Sequence, residues 1–239
     1  MRSALRLVFA AVLIAACSAN HERMYTDLQG LAEVGSPEAQ YHLGMFYNNG
    51  LGTEVNKSEA FKWFSRSAKN GDPLGHYKVG CYYAGQAEGV VPVDDQLALK
   101  HKLIAAKAGY SLAQWDVAVI YYNDGKVEEA IQWWKAAADQ GDPQSFYNLY
   151  TVYSKRSGST EDREWAYRYL SIIERNSKSR QTSEIEQRLS ELRAELSPEQ
   201  LVASDDWVEA WKSETSDLTL RAQSGLDDTR KVIQSELKR

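Results

Sequence analysis

Small and apolar residues recur along this chain in steps of four, each series counted from a glycine. The copies align on Gly35, Gly71, Gly109 and Gly141, at intervals of 36, 38 and 32 residues. Four positions on is a small residue (Ala39, Gly75, Ala113, Ser145), and eight on an aliphatic one (Leu43, Val79, Val117, Leu149). Twelve on is always a tyrosine: Tyr47, Tyr83, Tyr121 and Tyr153. Steps of four lie along one face of a helix. Gly44, Gly80 and Ala118 follow the aliphatic and leave room for a neighbouring helix, whereas Tyr150 breaks the rule in the fourth copy. A period in this range is the mark of a helical solenoid.

Each copy predicts a second helix that starts at an alanine and ends eleven residues later. The first runs Ala60, Trp63, Phe64, Ala68, Gly71, and the third runs Ala130, Trp133, Trp134, Ala137, Ala138, Gly141. The second copy has His101 where the others have an aromatic, and the fourth ends on Ser177 instead of glycine. The closing glycine suits a left-handed helix end. Ser36-Pro37, Asp72-Pro73 and Asp142-Pro143 then supply a capping side chain and a proline for the next first turn.

These residues resemble the Sel1-like repeat family, a relative of the tetratricopeptide repeat, down to Gly50-Leu51-Gly52 in the first copy. The resemblance covers roughly residues 35–177. It implies an all-α fold: a right-handed superhelical solenoid of about four helix-turn-helix repeats with capping helices. It also implies an adaptor that holds protein complexes together, with many bacterial members acting in the cell envelope.

The flanks read differently. Residues 1–16 carry Arg2 and Arg6 and then an apolar run from Leu7 to Ala16. That run is shorter than the roughly 20 residues a bilayer core requires, so a signal peptide fits. Ile14-Ala15-Ala16-Cys17 resembles a bacterial lipoprotein box, which implies lipidation at Cys17. Ser18 behind the cysteine resembles outer-membrane lipoproteins, so the expected address is the periplasmic side of the envelope. Residues 17–34 are expected to form a spacer, at His21–Arg23, and an N-terminal capping helix. Residues 178–214 are expected to cap the other end, with Ser197-Pro198-Glu199-Gln200 as a capping box. Residues 215–239 read as a polar tail, with one amphipathic helix (Leu226, Val232, Ile233, Leu237) as the alternative.

Charge and cysteine count narrow the function. Net charge is −5, and removing the leader with its two arginines makes it −7. An acidic chain is a poor nucleic-acid binder. Cys17 and Cys81 are the two cysteines. With Cys17 at the cleavage point, no intrachain disulfide is expected, unlike the disulfide-stapled branch of the family. His21, His42, His76 and His101 show no metal-ligand spacing, and no nucleophile elbow or phosphate loop is present. No catalytic residue, metal or cofactor is assigned. An envelope enzyme such as a β-lactam-binding hydrolase is disfavoured.

A second stripe sits six positions after each glycine: Tyr41, Tyr77, Trp115 and Tyr147. Met45 and Tyr122 lie on the same side. Aromatic side chains make good anchors for a protein partner. These six are the candidate partner groove, with packing between repeats as the rival role. The expected partner is another protein, either an envelope-complex component held by a scaffold or a toxic effector neutralised by an immunity protein. The membrane is reached through the N-terminal lipid.

Overall fold

The computed structural model describes the backbone of residues 2–156, 158–176 and 182–238, and the side chains of 18–156, 158–176 and 183–238. The candidate lipidation site Cys17 lies outside the described side chains, as does the leader. The described residues form thirteen helices and no strand. They divide into two compact units, Met1–Tyr110 with Asp217–Arg239, and Ser111–Ser216.

The first unit holds α1 (Arg2–Glu33), the pair α2 (Pro37–Asn49) and α3 (Lys57–Lys69), and the pair α4 (Pro73–Tyr83) and α5 (Asp95–Lys107). α1 runs unbroken through His21–Arg23, so that stretch is helical. The repeat pattern sets the local geometry. Ser36 Oγ accepts from Ala39 N at 3.3 Å, and Asp72 Oδ1 from Leu74 N at 3.1 Å. Gly35, Gly71, Gly109 and Gly141 all have positive φ, between +87° and +105°. Leu43 and Val79 are buried, as the four-residue step requires. The small residues serve close approach. A Cβ on Gly44 would stand 2.6 Å from the Phe64 ring, and one on Gly75 would stand 2.7 Å from Ala68 N. Gly52, at φ +64°, backs onto α1 so closely that a Cβ would lie 2.4 Å from the His21 carbonyl oxygen.

The same unit also contains the chain's end. Residues 217–236, where the sequence left tail or helix open, form α12 (Asp217–Ser224) and α13 (Leu226–Glu236). Gly225, at φ +53° and ψ −115°, makes the corner between them. Val232 and Ile233 of α13 join Met24, Leu28 and Ala32 of α1 and Leu43 and Phe46 of α2 in one apolar cluster. Leu218 and Ala222 of α12 pack on a second cluster built from Tyr41, Phe64, Leu74 and Tyr82. Leu237, expected on the apolar side of a C-terminal helix, is exposed.

The second unit holds the pairs α6 (Ser111–Asn123) with α7 (Val127–Asp139) and α8 (Pro143–Arg156) with α9 (Thr160–Asn176). α10 (Thr182–Ala194) and α11 (Pro198–Ala210) pack on α9. Leu189, Leu192 and Leu196 close its core over Tyr167, Leu170 and neighbours. Ser197 and Gln200 form the expected capping box, with both reciprocal bonds present. Residues 211–216 are non-helical and hydrogen-bonded along the α7–α8 turn: Glu214 N donates to Asp139 O at 2.8 Å, and Ser216 N to Gln140 Oε1 at 3.1 Å. Among the described residues no helix is long and apolar enough to cross a membrane.

Candidate functional site: the aromatic stripe in two units

The six stripe residues divide evenly. Tyr41, Met45 and Tyr77 belong to the first unit, and Trp115, Tyr122 and Tyr147 to the second.

In the first unit the stripe is covered. Tyr41 and Tyr77 are 7% and 8% exposed. The Tyr41 ring lies edge-on to His42 and tilts against Phe64, and Tyr77 meets Tyr110 edge-on at 4.9 Å. Burial drives the Tyr41 hydroxyl well above the ordinary phenol range, so it stays protonated. The α12–α13 segment lies over this face of α2. It brings a polar set that the sequence pattern did not reveal. His42 Nε2 is 2.9 Å from Asp228 Oδ2, and His42 Nδ1 is 2.9 Å from Thr229 Oγ1. Arg221 pairs with Asp72 through Nη2, and its Nη1 and Nε lie 3.9 Å from Glu38 and 3.8 Å from Asp228. His42, Asp72, Asp228 and Thr229 are all buried. Asp72, expected only as a cap, thus caps α4 and also holds α12. Its burial outweighs the Arg221 guanidinium and keeps its carboxyl above the usual carboxylate range. The one sequence signal for this cluster was the apolar set Leu226, Val232 and Ile233; nothing local marked the polar members, whose partners are up to 187 residues away.

A histidine pair sits elsewhere in the unit. His76 Nδ1 and His101 Nδ1 are 2.9 Å apart, which requires one ring to donate and the other to accept. Burial first, and then the neighbouring His76, lower the His101 pKa to about 4. His101 is half-buried at the aromatic position of its repeat. Cys81 is half-buried on α4. Among the described residues no group of three or more His, Cys, Asp or Glu could hold a metal ion.

In the second unit the stripe is open at its end. Trp115 is half-buried; with the Asn148 amide turned so that its oxygen faces the rings, that oxygen accepts from Trp115 Nε1 and Trp134 Nε1, each at 3.1 Å. Tyr122 tilts against Trp134 at 5.4 Å and is 36% exposed. Tyr147 is 60% exposed and stands edge-on to Tyr150. It lines two neighbouring clefts. One, about 390 Å³, is bounded by Tyr150, Ile173, Ile185 and Arg188; the other, about 340 Å³, by Pro143, Phe146 and Ile173. Behind this surface Tyr153, Trp165 and Tyr169 stack, with Lys135 and Arg168 4.5 and 4.7 Å from the Trp165 ring. Such cation–π contacts add to the packing of this second-unit core.

Comparison with known proteins agrees with the repeat layout. The Sel1 repeat family matches residues 37–72, 73–110 and 111–142. The α8–α9 pair keeps the helix-pair layout outside that match. A putative sel1-like repeat-containing protein of Acanthamoeba polyphaga mimivirus is 30% identical over 117 residues, 48% of this chain and 21% of that protein. Chitin synthase regulatory factor 4 of Schizosaccharomyces pombe is 29% identical over 119 residues, 49% of this chain and 19% of that protein. The chain thus spans about a fifth of the length of these curated relatives. The crystal structure of a Sel1 repeat protein from Oxalobacter formigenes is 33% identical, with 50% of this chain and 92% of that one covered, at a TM-score of 0.45. With its glycine-anchored helix pairs and three matched repeats, the chain carries Sel1 repeats over residues 37–142.

Proposed function

We propose that the chain is a non-catalytic protein-binding module, an adaptor held at the periplasmic side of the cell envelope by a lipid on Cys17. The Sel1 repeat is a protein-interaction fold, and this gives the general class. The observation that carries the specific reading is Tyr147, a large aromatic on α8 left 60% exposed between two clefts. Exposed Tyr side chains on rigid elements anchor partners at low entropic cost. The tether rests on the sequence of residues 1–17 alone.

The test is capture of partners from membranes by the tagged full chain, beside Cys17→Ser and Tyr122→Ala/Tyr147→Ala forms. Several envelope proteins, lost in both variants, support a tethered adaptor. One dominant partner that survives high salt replaces the adaptor with a dedicated inhibitor of a single effector. An unchanged partner set in the double-alanine form removes the tyrosine face from the reading.

A further inference from the structure

The first unit packs α12–α13 against α1, α2 and α4. Three features set α12–α13 apart from the repeat core. Recognition is polar: buried His42 meets Asp228 and Thr229 together, and buried Asp72 pairs with the partly exposed Arg221, with Glu38 3.9 Å away. Buried polar contacts of this kind contribute little net stability while penalising any occupant that leaves them unpaired. The packing is incomplete. A cavity of about 170 Å³ remains between Tyr41, Met45 and Leu51 on one side and Ala222 and Leu226 on the other. Arg221 Nε is buried there without a hydrogen bond. Finally, the segment arrives on a six-residue non-helical connector, residues 211–216, and turns at Gly225, where a Cβ would meet nothing within 4 Å.

We propose that this face of α1, α2 and α4 is a helix-docking site whose resident, α12–α13, is exchanged for a helix of a partner protein. The site defines the partner chemistry. The incoming segment is amphipathic, carries a cation for Asp72 and Glu38, and seven positions later places an Asp-Thr pair on His42. The cavity beside Met45 admits an apolar side chain larger than Ala222. This inference uses no residue of the tyrosine face in the second unit and stands or falls separately from it.

The experiment uses full-length protein and a fluorescent peptide of residues 215–238, read by anisotropy. A second form carries about 20 flexible Gly/Ser residues between Ser216 and Asp217. This insertion touches no docking residue, so the fold is retained. It dilutes the resident segment, since effective concentration falls roughly as the −3/2 power of tether length. Peptide binding should therefore tighten about ten-fold in the lengthened chain. A peptide with Arg221→Glu and Asp228→Lys should not bind. Equal binding by that reversed peptide, or no peptide binding to either chain, overturns the proposal. So does dimerisation of the lengthened chain with the peptide excluded, which would make the occupant a second copy.

Discussion

Tyr41 and Tyr147 occupy the same position in their repeats, six residues after the anchoring glycine, yet one is 7% exposed and the other 60%. The helices that present them are built alike. Both begin at proline after a capping residue, and both bury their aliphatic, Leu43 and Leu149. The difference lies in what comes to rest on them. α12 and α13 cover α2, whereas α8 in the second unit keeps Tyr147 beside open clefts. A repeat position therefore fixes where a side chain points but not whether it becomes core or surface. That depends on segments outside the repeat.

Substitutions that sharpen this contrast span a wide range of effect. Tyr41→Ala should be the most damaging, about 3–5 kcal/mol, as for other large aromatics removed from a core. Hydrogen exchange should show the loss centred on α2, α3, α4 and α12, with second-unit amides unchanged. Arg221→Ala leaves Asp72 buried beside no cation. It should cost about 2–3 kcal/mol, a little under the cost of breaking a fully buried pair, because Arg221 is partly exposed. Chemical denaturation followed by the helix signal measures it.

A smaller effect follows from the histidine pair. The folded His101 pKa of about 4 lies below the ordinary value of 6.5. Its contribution to stability is thus complete above about pH 6.5 and is lost as pH falls through about 4. Melting temperature measured from pH 7 to 4 should decline, and His101→Gln should flatten that decline. Smallest of all, Tyr147→Ala should shift stability by no more than about 0.5 kcal/mol, as expected for an exposed site. If it instead unfolds the second unit, the open face is core and the contrast between the units fails.

The helix pairs were legible because their signals are local. Glycine, capping residue, proline and aliphatic all act within one turn or two of themselves, and all appear where the spacing puts them. The α12–α13 segment was not legible for the opposite reason. Asp228 and Thr229 look like surface residues until His42, almost the whole chain away, supplies their partner. Burial of polar groups leaves no periodic trace, so a stretch rich in them reads as a tail. The stripe was found as a set of positions. Its division into a covered part and an open part depended on that same hidden segment.

The covering of α2 by α12 and α13 also bears on the order in which the molecule is made. A chain emerging from the ribosome ordinarily completes its first unit first. Here α2 waits for helices made much later, because His42 meets Asp228 across 186 residues. The second unit, Ser111–Ser216, is synthesised in one stretch and has all its parts sooner. The early helices α1 and α2 thus present Leu28, Leu43 and Phe46 without the cover of Val232 and Ile233 until α13 has been made. A nascent chain of this layout depends on chaperones at α1 and α2 for longer than at the second unit.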